Sequence, residues 1–140
     1  MLKTDNISSE KIQELIPKVL EINDGNFEVK LQEQPAIFTT FSCVLADAAR
    51  EVASVEGGLD TLIAQKAIDA KNSSTKKLTV ADTQAIIDCD NEVITQRSLL
   101  ADSQKKVSLL KGLLKGLEYQ KDCLVQISAN KRKEKEIYST

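Results

Sequence analysis

The stretch Val107-Ser108-Leu109-Leu110-Lys111-Gly112-Leu113-Leu114-Lys115-Gly116-Leu117 decides the fold class of this 140-residue chain. Its leucines are spaced by one, three and four positions. That spacing gathers them on one side of a helix and would scatter them over both faces of a strand. The pattern extends in both directions. Val93, Leu100, Val107 and Leu114 recur every seven residues, as do Leu110, Leu117 and Leu124 on the adjoining row, while Leu99, Leu109, Leu113 and Ile127 widen the stripe. A helix over about residues 92–133 is predicted. A seam wider than two rows meets more than one neighbour, as in a bundle or ring. At ~1.5 Å per residue this helix runs roughly 60 Å, longer than a compact monomer of this size covers. Other copies of the chain are therefore expected to cover it, with Leu100, Val107, Leu110, Leu114, Leu117 and Leu124 at the interface.

A second long helix is predicted over about residues 34–71. It opens at Gln34-Pro35, where Pro is tolerated in a first turn. Ile37, Phe41, Leu45, Ala48, Val52, Val55, Leu59 and Leu62 then step by three or four, with a heptad seam from Leu45 onward. Gly57-Gly58 interrupts this seam, and a local bend is expected there. Between the two helices, residues 72–91 read as a connector. Its polar start, Asn72-Ser73-Ser74-Thr75-Lys76-Lys77, leads into a short helix that Thr79 and Asp82 would cap, carrying Ala85, Ile86 and Ile87. Asp88 and Asp90 sit where the last helix begins and favour its positive end.

Ahead of this hairpin, residues 8–22 carry Ile12, Leu15, Ile16 and Val19 at helical spacing behind a Ser8 or Ser9 cap. Pro17 should kink or stop that helix. Asn23-Asp24-Gly25-Asn26 reads as a turn, and Phe27-Glu28-Val29-Lys30-Leu31 alternates like a short strand or extended arm. The expected architecture is all-α. Residues 1–33 form an accessory helix and arm, and residues 34–140 form a long antiparallel helical hairpin that assembles into a helical oligomer, one domain overall.

Composition supports this and removes much chemistry. Aromatic residues are only 4%, with five Gly and two Pro, too few turn formers for a sandwich or barrel. There is no His, so no imidazole base, His-based triad or His metal ligand is available. Cys43, Cys89 and Cys123 are too far apart for a metal knuckle, and are expected to be reduced and mostly buried. No cofactor and no enzymatic activity are expected. Met1-Leu2-Lys3-Thr4-Asp5-Asn6 lacks a hydrophobic run, and no stretch approaches ~18 apolar residues, so neither export nor a membrane span is expected.

Charge is distributed unevenly. Residues 1–90 hold 9 Lys+Arg against 15 Asp+Glu, whereas residues 91–140 hold 10 against 6. Lys66, Lys71, Lys76 and Lys77 gather around the end of the earlier long helix and its loop. Lys105, Lys106, Lys111 and Lys115 lie along the middle of the last helix, and Lys131-Arg132-Lys133 with Lys135 form a basic run near its end. Lysines set near phosphates give sequence-independent, salt-sensitive binding by counterion release. A Lys-rich face on a long helix is equally what a solvated face looks like. Single-strand binding usually adds aromatic platforms, and only Tyr119 and Tyr138 fall in the basic part.

The order of these features resembles the UvsY-type recombination mediators of tailed phages, over roughly residues 34–133. The residues that carry the likeness are Gln34-Pro35-Ala36-Ile37-Phe38, the Lys-bearing linker, and Leu78-Thr79-Val80-Ala81-Asp82 leading to Asp90-Asn91-Glu92-Val93. The Leu-rich stretch from Leu109 continues through Lys121-Asp122-Cys123-Leu124. Of the family's basic segment before the linker, Ala64-Gln65-Lys66-Ala67 keeps Lys66. The resemblance implies a small, non-enzymatic, cytoplasmic homo-oligomer in a bacterial host. Such a protein binds single-stranded DNA and helps a RecA-like recombinase replace a single-strand-binding protein. Lys66, Lys71, Lys76 and Lys77, helped by Lys111 and Lys115, are then the expected phosphate contacts. A structural or adaptor oligomer without a nucleic-acid role, such as a virion-assembly chaperone or scaffold, is the alternative, and the sequence pI near 5.3 suits it.

Overall fold

The structure, a computed structural model, describes residues 7–139; the first six residues, read above for an export signal, and Thr140 lie outside the described residues. It is all-α: α1 (Ser9–Leu20), α2 (Phe27–Ser73), α3 (Val80–Asp88) and α4 (Asn91–Tyr138), with no strand among the described residues. Among the described residues, no helix is long and apolar enough to cross a membrane. The chain divides into two compact units. The first takes the described residues up to Ala46 and from Lys106 onward, and the second takes Asp47–Lys105.

In the first unit the Ser8 hydroxyl caps α1 by accepting from the Lys11 N–H at 3.3 Å. Pro17 lies inside the helix, which ends at Leu20, one turn later. The turn that follows is built from asparagine side chains. Asn23 Oδ1 accepts from the Gly25 and Asn26 amides at 2.9 and 3.0 Å, and Asn26 Oδ1 accepts from the Asn23 amide at 2.8 Å. The last carbonyls of α1, which no helical donor can reach, are satisfied from outside. Lys30 Nζ donates to the Lys18 and Val19 carbonyls at 3.2 and 3.0 Å, and Gln120 Nε2 donates to Val19 at 2.9 Å.

The expected extended arm at residues 27–31 is instead the first part of α2, which starts seven residues before Gln34 and carries Pro35 in its interior. Tertiary contacts override the alternating pattern. Phe27, Gln34 and Phe41, seven apart, are all buried, while Val29 and Leu31 are exposed. Gln34 Nε2 reaches across to the Leu117 carbonyl at 2.8 Å, and the Lys131 ammonium sits 4.5 Å from the Phe27 ring centroid. Phe27 against Lys131 and Gln34 against Leu117 make α2 and α4 antiparallel here.

Because α1 and the start of α2 fold back over α4, they bury much of the stripe that other copies were expected to cover. Leu110, Leu113, Leu117 and Leu124 are fully buried within the chain. The expected interface is corrected accordingly: Leu110, Leu117 and Leu124 are core of the first unit, and Val107 and Leu114 are half-buried there. Gly116 has a specific place in this packing, since a Cβ on it would lie 2.7 Å from Cδ1 of Leu20.

The second unit is built on Leu59, Ile87 and Val93, with Leu62, Ile63, Ala67 and Leu100 packed against them. Leu100 therefore also serves the chain's own core. α2 runs unbroken through Gly57-Gly58. The cysteines differ from expectation: Cys43, Cys89 and Cys123 are all exposed. Cys43 and Cys123 each neighbour a buried position, Val44 and Leu124, and the helical step turns the thiols outward. Cys89 ends α3.

Candidate nucleic-acid interface

Lys66, Lys71, Lys76 and Lys77 belong to the second unit, while Lys111 and Lys115 belong to the first. The loop after α2 is organised by two serines. Ser73 Oγ donates to the Asp69 carbonyl at 2.6 Å, and Ser74 Oγ both accepts from the Lys76 amide at 3.2 Å and donates to its carbonyl at 2.8 Å. Beyond the loop, Thr79 and Asp82 form the expected capping box: each side chain accepts from the other's amide at 3.1 Å. The Thr79 hydroxyl, with the backbone amide of the same residue, holds the Asp82 carboxyl below its ordinary range. Lys76 and Lys77 are thus carried between two fixed points. Together with Lys71, in the last turn of α2, they are exposed and make no ion pair among the described residues.

Lys66 is different. Its ammonium lies 3.2 Å from Asp90 Oδ2 and 3.4 Å from Glu92 Oε1, and its side chain is only 23% exposed. The Asp90 hydrogen bond raises the Lys66 pKa against the opposing effect of burial, and Glu92 adds to it. Burial pushes the Asp90 carboxyl up, but Lys66 and the Val93 and Glu92 amides outweigh this and hold it below its ordinary range. Asp90 Oδ1 accepts from those amides at 3.3 and 2.9 Å, so the same carboxylate caps α4. A short step away, Asp88 accepts from Arg97 and Gln84, each at 2.9 Å, and Arg97 above all keeps its carboxyl low. Asp88 and Asp90, expected at the start of α4, therefore form with Glu92 a capping and ion-pairing cluster. An open cleft of about 410 Å³ adjoins it, lined by Lys66, Ser73, Ser74, Leu78, Ile86 and Asp90 among others.

On α4, Lys111 and Lys115 are exposed one turn apart, and Tyr119, 60% exposed, follows on the same side at the next turn. Glu118 and Asp122, also exposed, bound this basic stretch. Lys131, part of the expected basic run, is held over Phe27. Its partner was hidden in the sequence because residues 27–31 alternate like a strand. Asp90 and Glu92 as partners of Lys66 lie across the connector, beyond the reach of any local pattern.

No family model matches the chain, and no curated protein matches its sequence. Among solved structures, the crystal structure of the bacteriophage T4 recombination mediator protein UvsY superposes with a TM-score of 0.78 at 12% sequence identity, covering 91% of this chain and 99% of that one. The two proteins share a fold.

Proposed function

We propose that this protein is a non-enzymatic recombination mediator that binds single-stranded DNA and assists the loading of a RecA-like recombinase in place of a single-strand-binding protein. The observation that carries the reading is the likeness of nearly the whole chain, end to end, to the fold of a recombination mediator. Lys71, Lys76 and Lys77 are the principal phosphate contacts, because their charges are exposed and uncommitted. Lys111 and Lys115 add to them, with Tyr119 in line as a surface on which a base can stack. Lys66 contributes less, since a phosphate would have to displace two carboxylates from it. The protein acts in the cytoplasm of a bacterial host as a homo-oligomer. Its contacts between copies use apolar side chains left exposed, such as Ile94, Leu99 and Val125, rather than the buried leucine row.

The test is a titration of labelled single-stranded DNA with the wild-type chain and with Lys76→Glu/Lys77→Glu. The double reversal should weaken binding at least about tenfold while leaving the helical content unchanged, because both residues lie in a polar loop outside the cores. A structural adaptor role is favoured by one feature, the excess of carboxylates over cations in the chain. That role predicts no retention of DNA at low salt and no effect of the reversal.

A further inference from the structure

The connector is held by little apolar contact beyond Ile87. α3 buries one side chain, Ile87; Val80 is 89% exposed and Ile86 is 47% exposed. Hydrophobic burial is what normally closes such a segment onto its neighbours, and one buried side chain with the half-buried Leu78 gives only a small part of it. What else ties the connector down is charge, concentrated in its last residues. Asp90 is bridged by Lys66 to α2, Glu92 shares the same ammonium, and Asp88 is tied to Arg97 on α4. The two salt-bridge groups differ in exposure. Asp88 and Arg97 are 47% and 42% exposed, whereas Asp90 and Lys66 are 24% and 23% exposed. Partial burial makes the Lys66–Asp90 pair the stronger tie of the two, while Glu92, 69% exposed, adds less to it; all three remain open enough for salt to weaken.

We infer that Lys66, Asp90 and Glu92 form an electrostatic latch that closes the connector, residues 74–90, against α2, and that rising ionic strength or loss of the Lys66 charge releases it without unfolding the rest of the chain. Asp90 is the hinge point of this device. It stays in place as the α4 cap, and Asp88 stays tied to Arg97, so release parts the end of α3 together with the start of α4 from Lys66 on α2 and lets α3 and its preceding loop shift relative to α2. The loop carries Lys76 and Lys77, so the latch would set how those lysines are presented. That consequence rests on the proposed DNA-binding reading; the latch does not.

The experiment is hydrogen exchange on the full-length chain without DNA, followed by mass spectrometry of peptides covering residues 80–90 and 110–124. Three variants are compared with wild type: Lys66→Met, which keeps the apolar stem; Asp90→Asn, which keeps a competent cap and removes only the charge; and the double variant. Each single change should speed exchange in residues 80–90 at least about threefold, the scale of a partly exposed ion pair, and leave residues 110–124 unchanged. The double variant should exchange no faster than the faster single, because both remove one interaction. Raising salt from about 50 to about 500 mM should speed the same peptide in wild type and have a smaller effect in Lys66→Met. Unchanged exchange in both singles, additive effects in the double, or loss of protection in both peptides for Asp90→Asn would overturn the latch. DNA is absent throughout, so failure here leaves the binding titration to be judged separately, and the reverse also holds.

Discussion

Two glycines four residues apart in α4 give a sharp test of the packing in the first unit. Gly112 has nothing within 4 Å of where a Cβ would stand, while at Gly116 that Cβ would meet Leu20 Cδ1 at 2.7 Å, Cδ2 at 3.2 Å and Cγ at 3.6 Å. Both lie well inside a helix, so replacing either by Ala should gain about 1 kcal/mol of helix propensity. At Gly112 nothing opposes the gain, and the expected change is a stabilisation of about 1 kcal/mol, or roughly 3 °C in Tm. At Gly116 the end of α1 must give way. Leu20 is only half-buried, so its isobutyl group can turn, but crowding a packed contact costs about 1–3 kcal/mol. Gly116→Ala should therefore be neutral to destabilising by about 2 kcal/mol once the same propensity gain is subtracted. Thermal unfolding followed by circular dichroism reads the difference. Removing the obstructing atoms with Leu20→Ala should make Gly116→Ala favourable again, a coupling expected of residues in contact. Equal stabilisation by both single substitutions would refute the placement of α1 against α4. So would a Leu20→Ala background that leaves the effect of Gly116→Ala unchanged.

Leu110→Asp should unfold the first unit rather than dissociate an otherwise folded oligomer, because the carboxylate would enter that unit's own core at a cost of several kcal/mol. Sedimentation combined with circular dichroism separates the two results. The lowered Asp82, Asp88 and Asp90 carboxyls contribute stability that is complete above the ordinary carboxylate range near pH 4 and is lost as pH falls below it through their folded values. The raised Lys66 contributes stability below its ordinary range that is lost as pH climbs through its folded value. Protection of residues 80–90, taken relative to the intrinsic exchange rate at each pH, should therefore fall at both extremes, with a plateau between. A triple Cys→Ala variant at positions 43, 89 and 123 should match wild type in unfolding free energy within about 1 kcal/mol, as exposed sites away from cores generally do, and in DNA binding; exposed thiols should also react with a thiol reagent in the native chain.

Much of the architecture was legible from local chemistry. Ser8, the asparagine turn and the Thr79–Asp82 box each satisfy backbone groups within a few residues, so their logic is written in adjacent letters. The leucine rows of α4 likewise announce a helix whatever they pack on. What they pack on was not legible. Phe27, Gln34, Phe41 and Ala48 form one buried row on α2, but a polar Gln34 breaks its apolar signature, and its purpose appears only with the Leu117 carbonyl 83 positions away. Without Phe27 and Gln34 in that row, residues 27–31 read as an arm, α4 reads as uncovered, and the sequence assigns to a partner copy a surface that α1 and α2 already occupy. The lysines followed the same rule. Composition counts charges, but only the folded chain shows which are matched, and Lys66, the residue the resemblance singled out, is the one with two carboxylates beside it.

That distinction gives the DNA titration a quantitative edge. For single strands the logarithm of affinity falls with the logarithm of salt at a slope of about 0.7 per phosphate neutralised. Lys71, Lys76 and Lys77 alone give a slope near 2, or about a 20-fold loss between roughly 50 and 200 mM salt. If Lys111 and Lys115 also engage the strand, the slope rises to about 3.5 and the loss to about 100-fold. A loss of about 10³-fold needs roughly seven contacts, more than these five lysines supply. Such steepness would mean that more than one copy grips each strand, with avidity offsetting a weak contact per chain. Lys76→Glu/Lys77→Glu should remove about 1.4 from the slope for each chain engaged. In an oligomer this fall is multiplied, so the ratio of mutant to wild-type slopes, rather than either alone, reports whether the loop is the contact. A wild-type slope near zero would leave no phosphate contact to assign. A steep slope unchanged by the reversal would move the contact off the loop to the α4 lysines.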